Sequence, residues 1–337
     1  MNSPVVIPHS FPNLRAQDKQ AVLECFDLEY VGYDAKLDNE IQKKLKENLL
    51  FNYIDTTPSA SLALLLILKS LNVADGDEVI LSAINCWSVF NIIKLEKATP
   101  IICDVSSTID FRVSYRAIKE RITSKTKVIL VTHMYGALVD IEIIKVIKRE
   151  YPNIAIIEDF STSFLATKNY KFGSHSDFAI GSFGSTKPLT GGIGGVLCSH
   201  TPIVDTNYSS QSKGELLFLN MQLSRLNQTL LLSQLNLFTE NQKMKIKLLL
   251  FYQKFISIFA FNKSNFLFRA ISFQNPNKLV DYLLEFNLIL DIRNSVQPNF
   301  AKELGLDDCY YAYNFQCYYS LPLNIKAYEI LNKKGLL

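Results

Sequence analysis

Hydrophobic positions between residues 59 and 200 alternate between a helical pattern and a strand pattern. Continuous apolar runs at 128–131 and 154–157 are typical of strands that are buried on both faces. Segments with apolar residues at helical spacing separate these runs. Because buried strands of this kind belong to a parallel sheet that helices cover, the pattern predicts an α/β fold with a mostly parallel central sheet.

The predicted elements suggest two domains. Helices are expected at 59–71, 87–96, 114–122 and 140–150. Strands are expected at 78–82, 99–104, 127–132 and 154–159. The remaining segments are a long helical pattern at 216–255, a strand at 267–273, a helix at 278–286 and an aromatic run at 310–319. We therefore expect a large domain over residues 1–240 and a smaller C-terminal α+β domain over residues 241–337.

Composition and charge argue against several classes of function. The chain of 337 residues has a net charge of +3, which does not indicate nucleic-acid binding. No run of about 18 apolar residues could span a bilayer, and the first residues lack the pattern of a signal peptide. The six cysteines are scattered without C-x-x-C spacing. These features predict a cytoplasmic protein with no nucleic-acid partner, no membrane partner and no metal.

Glycine is scarce in the chain but concentrated in one segment. Of the 13 glycines, seven lie between Gly173 and Gly195. Glycine is used where the backbone needs positive φ or must lie close to another group, so this segment predicts a crowded loop. Lys187 lies near its centre, with no acidic residue within nine positions on either side.

Two further polar residues complete a candidate cofactor site with Lys187. Ser182 precedes the lysine by five residues. Asp159 follows the apolar run at 154–157 and the glutamate at position 158. A strand-end carboxylate, a serine and a lysine on a glycine-rich turn are the groups needed to hold pyridoxal phosphate (PLP). The lysine would form a Schiff base, the serine would contact the phosphate, and the carboxylate would keep the ring nitrogen protonated.

The segment from Ser182 to Gly195 resembles a known signature. It reads Ser-Phe-Gly-Ser-Thr-Lys-Pro-Leu-Thr-Gly-Gly-Ile-Gly-Gly and is similar to the S-F-x-x-x-K-x-L-x-x-G-E-G-G signature of the DegT/DnrJ/EryC1/StrS sugar aminotransferases. Segments similar to other parts of these proteins follow the same order at 76–80, 98–105, 133–136, 158–159 and 320–323. The resemblance implies the fold of fold-type-I PLP-dependent transferases.

The resemblance also implies roles for the candidate residues. Lys187 would be the catalytic Schiff-base lysine, and Asp159 would contact the pyridine nitrogen, with a helix cap as its alternative role. Ser182 would bind the phosphate together with Ser59 and Ala60, because a helix N-terminus suits a dianion. An ordinary capped helix is the alternative for this segment. Pro58 is expected in its first turn, where it would remove one amide donor.

The sequence offers two residues for the position beside the cofactor ring. The family places an aromatic residue just after the second strand, which suggests Trp87, the only tryptophan. Counting back from the segment at 98–105 places Cys86 there instead and leaves Trp87 as a core residue. The resemblance implies that Thr162 lies near the cofactor hydroxyl. His133 is expected near the cofactor in a packing or hydrogen-bonding role.

A homodimer with shared sites is also implied. Asn220 resembles the asparagine of the family's N-x-R-M-S segment, which reaches the phosphate of the neighbouring subunit. The amphipathic segment Leu223–Phe238 would then pack on the twofold axis, or it would only dock on the large domain. Three positions depart from the family pattern: Gln222 replaces an arginine, Thr162 a glutamine or histidine, and Ile193 a glutamate.

The predicted function is the conversion of a keto group of a nucleotide-linked sugar to an amine, with glutamate as donor, in amino-sugar biosynthesis. A related branch dehydrates sugars and has histidine in place of the Schiff-base lysine, so Lys187 favours transamination. One alternative is a regulatory or non-catalytic homologue that binds the cofactor without turnover, for which Pro58, Thr162 and Ile193 are the support. Another is an enzyme with a non-sugar carbonyl substrate.

Overall fold

The computed structural model describes residues 3–27, 31–164, 170–203, 222–259, 267–294 and 297–337. The strands in these residues are β1 (Val5–Ile7), β2 (Tyr53–Thr57), β3 (Glu78–Ser82), β4 (Thr99–Cys103), β5 (Val105–Ser107), β6 (Asp110–Val113), β7 (Thr126–Thr132), β8 (Ala155–Asp159), β9 (Phe178–Ser182), β10 (Gly195–Ser199), β11 (Ala270–Ser272), β12 (Leu288–Leu290), β13 (Arg293–Asn294) and β14 (Tyr319–Leu321). The α-helices are α1 (Ala16–Glu24), α2 (Ala35–Lys46), α3 (Ala60–Ser70), α4 (Trp87–Leu95), α5 (Tyr115–Lys119), α6 (Ile141–Glu150), α7 (Arg225–Asn236), α8 (Phe238–Tyr252), α9 (Asn277–Glu285), α10 (Phe300–Leu304), α11 (Tyr310–Tyr313) and α12 (Ile325–Lys333).

A seven-stranded sheet forms the centre of the fold, in the order β2–β10–β9–β8–β7–β3–β4. Strand β10 pairs antiparallel with β2 and β9, and the other four pairings are parallel. The α/β fold with a mostly parallel sheet is therefore confirmed. All four strands predicted between residues 78 and 159 are present in this sheet, and each of their ends lies within one residue of its predicted position.

The two faces of the sheet carry different helices, and strand β8 shows the alternation. Ile157 packs in a core cluster with residues of α3 and α4, whereas Ile156 packs in another cluster with residues of α6. Because successive side chains of a strand point to opposite faces, the side chains of the next two residues also point to opposite faces. Glu158 shares the α6 face with Ile156, and Asp159 shares the α3 face with Ile157.

Helix α3 begins at Ala60, one residue later than predicted. Ser59 is its N-cap, and the Ser59 hydroxyl accepts a hydrogen bond from the Leu62 amide at 3.1 Å, as serine does at helix starts. Pro58 precedes this cap. The expectation that Pro58 removes an amide donor from the first turn is therefore wrong, because Pro58 lies outside the helix and its missing N–H is not one of the first-turn amides.

The long helical pattern predicted at 216–255 forms two helices, α7 and α8, which meet at Leu237. Residues 216–221, including Asn220, lie outside the described residues. Helix α7 packs against α1 and α2 of the same chain, with Leu231 fully buried. Leu231 thus docks α7 within its own chain, and packing of this segment on a twofold axis stays a prediction. No helix in the described ranges is long and apolar enough to cross a membrane.

A second core lies in the C-terminal part of the chain. It is formed by apolar residues of α8, α9, α12 and the adjoining short strands. Strand β1 pairs in parallel with β12, and Ile7 is part of this core. The N-terminal strand therefore packs with the C-terminal unit. Helices α10 and α11 instead contribute Phe300 and Ala312 to the core on the α3 face of the central sheet. The domain boundary at residue 240 stays a prediction.

Candidate active site

A cavity of about 240 Å³ lies at the carboxyl ends of the parallel strands, where ligands bind in open α/β sheets. Strands β7, β8 and β9 contribute their last residues to its lining, and helices α3 and α4 contribute their first turns. Six of the predicted site residues line this cavity: Lys187, Asp159, Ser182, Ser59, Ala60 and Thr162. The fold thus brings together residues that are up to 128 positions apart in the sequence.

The Asp159 carboxylate is buried, and among the described residues only one of its two oxygens accepts a hydrogen bond. The side chain is 6% exposed, and Oδ1 accepts a hydrogen bond from the Ser161 amide at 2.9 Å. Within the part of the chain that the structure describes, Oδ2 has no hydrogen-bond partner. A buried carboxylate is stabilised by further hydrogen bonds, so Oδ2 is available to a donor inside the cavity.

The Lys187 side chain reaches the cavity from the glycine-rich loop after β9. The loop turns tightly here, since the Lys187 amide donates to the Gly184 carbonyl at 3.0 Å. The amine Nζ lies 6.0 Å from the centroid of the Phe268 ring. No described carboxylate forms an ion pair with it. The amine thus lies in the cavity with no carboxylate partner among the described residues, where it can reach a carbonyl carbon of a bound ligand.

The start of α3 and the end of β9 offer groups for an anion in the same cavity. Ala60 and Ser61 open helix α3, where backbone amides and the helix dipole favour negative charge. Gly195 in β10 is in register with Ser182. A Cβ atom on Gly195 would lie 2.4 Å from the Ala60 nitrogen, so glycine is required for strand β10 to pass this helix start. Ser182 and the first turn of α3 therefore lie on either side of Gly195 and can hold a phosphate together.

Cys86, and not Trp87, lines the cavity at the start of α4. The Trp87 ring has its centroid 4.7 Å from that of Phe300 and 5.1 Å from that of Phe90. Trp87 thus packs in the apolar core, and the interpretation of this residue as the cover of the cofactor ring is corrected. The alternative that followed from counting along the sequence, with Cys86 in that position, agrees with the geometry.

Thr162 lines the cavity, but its hydroxyl is already engaged by the backbone. It donates a hydrogen bond to the His133 carbonyl at 3.0 Å and accepts one from the Tyr135 amide at 2.9 Å. These bonds join the loop after β8 to the loop after β7. A direct contact of Thr162 with the cofactor stays a prediction.

On the α6 face of the sheet, Glu158 lies in a polar cluster that is buried from solvent. Its side chain is 0% exposed and accepts hydrogen bonds from the Tyr170 hydroxyl at 2.9 Å and the Gly173 amide at 3.0 Å. The Ser176 hydroxyl donates a further bond. Burial by itself raises the pKa of this carboxyl, but the hydrogen bonds from His133, Ser176 and Gly173 outweigh burial and lower the pKa of Glu158.

His133 takes part in the same cluster and does not line the cavity. Its Nδ1 accepts a hydrogen bond from the Val139 amide at 3.0 Å, so the proton of the neutral ring is on Nε2. Nε2 lies 3.2 Å from Glu158 Oε1 and donates to it. The interpretation of His133 as a hydrogen-bonding residue therefore agrees with the structure.

Sequence reasoning missed Gln297 and Phe268. Gln297 lines the cavity, and Phe268 lies beside the Lys187 amine. Both come from the C-terminal part of the chain, and neither lies in a motif or at the end of a predicted central strand. Tertiary contacts alone bring them to the site.

Residues 12–263 match the model of the DegT/DnrJ/EryC1/StrS aminotransferase family, which is most of the chain. This chain belongs to that family. Pyridoxal phosphate is the family's cofactor, and the cavity provides an amine, a half-satisfied carboxylate and a helix N-terminus that fit it. A similar curated protein is the GDP-perosamine synthase of Escherichia coli O157:H7, which is 32% identical over 196 residues, 58% of this chain and 53% of that protein. The chain spans about half the length of the curated relatives that it matches.

Solved structures share the fold over nearly the whole chain. The aminotransferase TlmJ from Streptoalloteichus hindustanus has a TM-score of 0.78 at 17% identity and covers 98% of both chains. The Escherichia coli GDP-4-keto-6-deoxy-D-mannose-3-dehydratase with bound hydrated PLP also has a TM-score of 0.78, at 15% identity, and covers 100% of both chains. An aminotransferase and a dehydratase match equally well, so the choice between the two reactions depends on the residues of the site.

Proposed function

We propose that this protein is a PLP-dependent aminotransferase that converts a keto group of a nucleotide-linked sugar to an amine, with glutamate as amino donor. The observation that carries the proposal is the position of Lys187. Its amine lies in the same cavity as the half-satisfied Asp159 carboxylate and the start of α3. A lysine at this position, instead of a histidine, supports transamination over dehydration.

When bound, pyridoxal phosphate supplies an electron sink that stabilises negative charge on the neighbouring carbon. Asp159 would accept a hydrogen bond from the ring nitrogen through Oδ2 and keep that nitrogen protonated. Ser182 and the first amides of α3 would hold the phosphate. Lys187 would hold the cofactor aldehyde through Nζ and, once released, would move a proton between substrate and cofactor.

The nature of the sugar is supported by the curated relatives. Proteins named GDP-perosamine synthase match this chain from Escherichia coli and from Vibrio cholerae. A sugar linked to guanosine diphosphate is therefore the first substrate to test. Glutamate as donor rests on the family resemblance.

Absorption spectroscopy of the PLP-loaded protein tests the proposal. Glutamate should change the visible absorption band of the bound cofactor, and a nucleotide-linked keto-sugar should restore it. The Lys187→Ala variant should show neither change, whereas Lys171→Ala, which alters an exposed lysine, should behave as the unaltered protein does. A cofactor band that no amino donor alters would instead support the alternative of a homologue without turnover.

We also propose that the active unit is a homodimer with shared sites. This proposal rests on Asn220, which lies outside the described residues, and on the family resemblance. Mixing inactive Lys187→Ala chains with inactive Asn220→Ala chains tests it, because one site of each mixed dimer would regain both native residues. Partial recovery of activity is expected. No recovery, after subunit exchange has been demonstrated, would reject shared sites.

A further inference from the structure

Gln297 is a polar side chain that the C-terminal part of the chain places in the cavity. The residues that follow it are held against the loop after β3. The Pro298 carbonyl accepts a hydrogen bond from the Asn85 amide at 3.3 Å, and the Phe300 amide donates to the Ala83 carbonyl at 2.8 Å. Gln297 is therefore placed by backbone contacts on one edge of the proposed PLP site.

A pair of buried tyrosines holds the backbone of Gln297 from the other side. The Gln297 amide donates a hydrogen bond to the Tyr318 hydroxyl at 3.1 Å. This hydroxyl lies 3.2 Å from the Tyr135 hydroxyl. Tyr135 and Tyr318 are each only 2% exposed, so the anchor of Gln297 is rigid and joins the loop after β7 to the segment before β14.

Cys86 orients the side-chain amide of Gln297. The Cys86 thiol donates to Gln297 Oε1, with an S–O distance of 3.6 Å. A side-chain amide has an oxygen acceptor at one position and two N–H donors at the other. Because Oε1 faces the thiol, both donors of Nε2 remain without a partner among the described residues, in a side chain that lines the cavity.

The chemistry of this group selects among ligands. A carboxylate or phosphate is best met by a cation such as arginine or lysine, and a neutral amide donor suits a neutral oxygen. In the proposed function the PLP phosphate is held by α3 and Ser182 and the ring nitrogen by Asp159, and Thr162 is the residue predicted near the PLP hydroxyl. What remains for Gln297 is an uncharged oxygen of the second substrate, either a hydroxyl or a carbonyl.

We propose that Gln297 contacts the keto-sugar by donating a hydrogen bond from Nε2 to one of its hydroxyl or carbonyl oxygens. Cys86 is the positioning residue that fixes the orientation of the amide. This inference rests on the proposed function, since it assigns a residue to the sugar half of the reaction. It also accounts for a small thiol at a position where an aromatic ring was expected, because a ring at Cys86 could not donate to Gln297.

The two half-reactions separate this role from a general structural one. The PLP-loaded protein is mixed with glutamate or with GDP-perosamine as alternative amino donors, and the cofactor absorption is followed. In Gln297→Ala, kcat/KM for GDP-perosamine should fall about tenfold, the effect of losing one hydrogen bond. In the same variant, kcat/KM for glutamate should change by less than about twofold. Gln297→Glu, which keeps the size but lacks the N–H donors, should show at least the same loss for the sugar.

Matched variants complete the experiment. Gln316→Ala removes an exposed glutamine and should leave both half-reactions unchanged. Cys86→Ala should weaken the reaction with GDP-perosamine by a smaller factor than Gln297→Ala, and Cys86→Ser, which restores a donor, should recover part of that loss. Equal losses in both half-reactions, or no loss in either, would overturn the role of Gln297.

The outcomes also distinguish this inference from the proposed function. If the unaltered protein reacts with glutamate but not with GDP-perosamine, the GDP-sugar part of the proposed function fails, and the role of Gln297 falls with it. If the unaltered protein reacts with both and Gln297→Ala does not discriminate, only the role of Gln297 fails.

Discussion

Glu158 and Asp159 are consecutive in β8, yet they lie in two regions of different character. Both carboxylates are buried, at 0% and 6% exposure. Glu158 lies behind the sheet and accepts hydrogen bonds from four groups of the protein. Asp159 lies on the opposite, cavity-facing side and accepts one hydrogen bond among the described residues, from Ser161. The same chemical group therefore serves structure on one face and remains available for a ligand on the other.

The difference shows how a site can be recognised without a ligand. Burying a carboxylate is unfavourable unless hydrogen bonds or charges replace its hydration. The cluster around Glu158 provides this replacement within the chain. Around Asp159 the replacement is incomplete in the described residues, and under the proposed function the missing partner is the protonated nitrogen of the cofactor. The number of hydrogen bonds that each carboxylate accepts from the described residues, more than its burial, distinguishes the two roles.

The largest expected effect comes from Lys187→Ala, which removes the only amine in the described lining of the cavity. Transamination should be lost entirely, because no other amine in the described lining can form a Schiff base with the cofactor aldehyde. Borohydride reduction followed by mass spectrometry should find no covalent cofactor adduct. An adduct that persists in the variant would show that another lysine is the anchor.

Glu158→Ala should have the largest effect on stability. It leaves buried donors of Tyr170, Ser176 and His133 without their acceptor, which costs on the order of 3–5 kcal/mol. Urea unfolding followed by circular dichroism should show a clear decrease of the midpoint. A variant as stable as the unaltered protein would contradict the structural role of this cluster.

The pH dependence of the stability of Glu158→Gln tests the same structural role. Because its hydrogen bonds lower the pKa of Glu158 in the folded state below the usual 4.5, the carboxylate contributes stability above about pH 4.5. This contribution is lost as the pH falls through the folded-state pKa. The stability difference between the unaltered protein and Glu158→Gln should therefore narrow below pH 4.5.

Asp159→Asn is the counterpart on the cavity face. The neutral amide cannot stabilise the charged ring nitrogen, so turnover should lose about 2–4 kcal/mol of transition-state stabilisation. The urea midpoint should change little, because the Asn side chain can still accept the Ser161 amide. Steady-state kinetics and unfolding on the same preparation give both values. Near-normal turnover would mean that the carboxylate only caps the following turn.

Gly195→Ala should have the smallest effect of this series. It alters the backbone beside the proposed phosphate site. The added Cβ would lie 2.4 Å from the backbone atoms Ala60 N and Ser59 C, so the start of α3 must shift, at a cost of about 1–3 kcal/mol. Cofactor affinity, measured by fluorescence titration, should fall. The control is Gly184→Ala, where the added Cβ would lie 3.6 Å from its nearest neighbour, the Ser182 hydroxyl oxygen. The melting temperature of Gly184→Ala should change less than that of Gly195→Ala.

The sequence by itself determined the central sheet and the main part of the site. Apolar runs with glycine or polar ends define strand ends, and the parallel sheet brings those ends to one edge. The period of two along β8 separated Glu158 from Asp159. Because these relations depend on local pattern and on one topological rule, the positions of Asp159, Ser182 and Lys187 around one cavity could be predicted.

Only the tertiary structure decided the details that depend on long-range contacts. The choice between Cys86 and Trp87 depends on where α4 starts and on the aromatic core that receives the Trp87 ring. Gln297 reaches the cavity because its segment pairs with the loop after β3, more than 200 residues earlier. β1 likewise joins β12 across almost the whole chain. Local periodicity carries no information about such pairings, because they arise from the packing of segments whose own patterns are compatible with many neighbours.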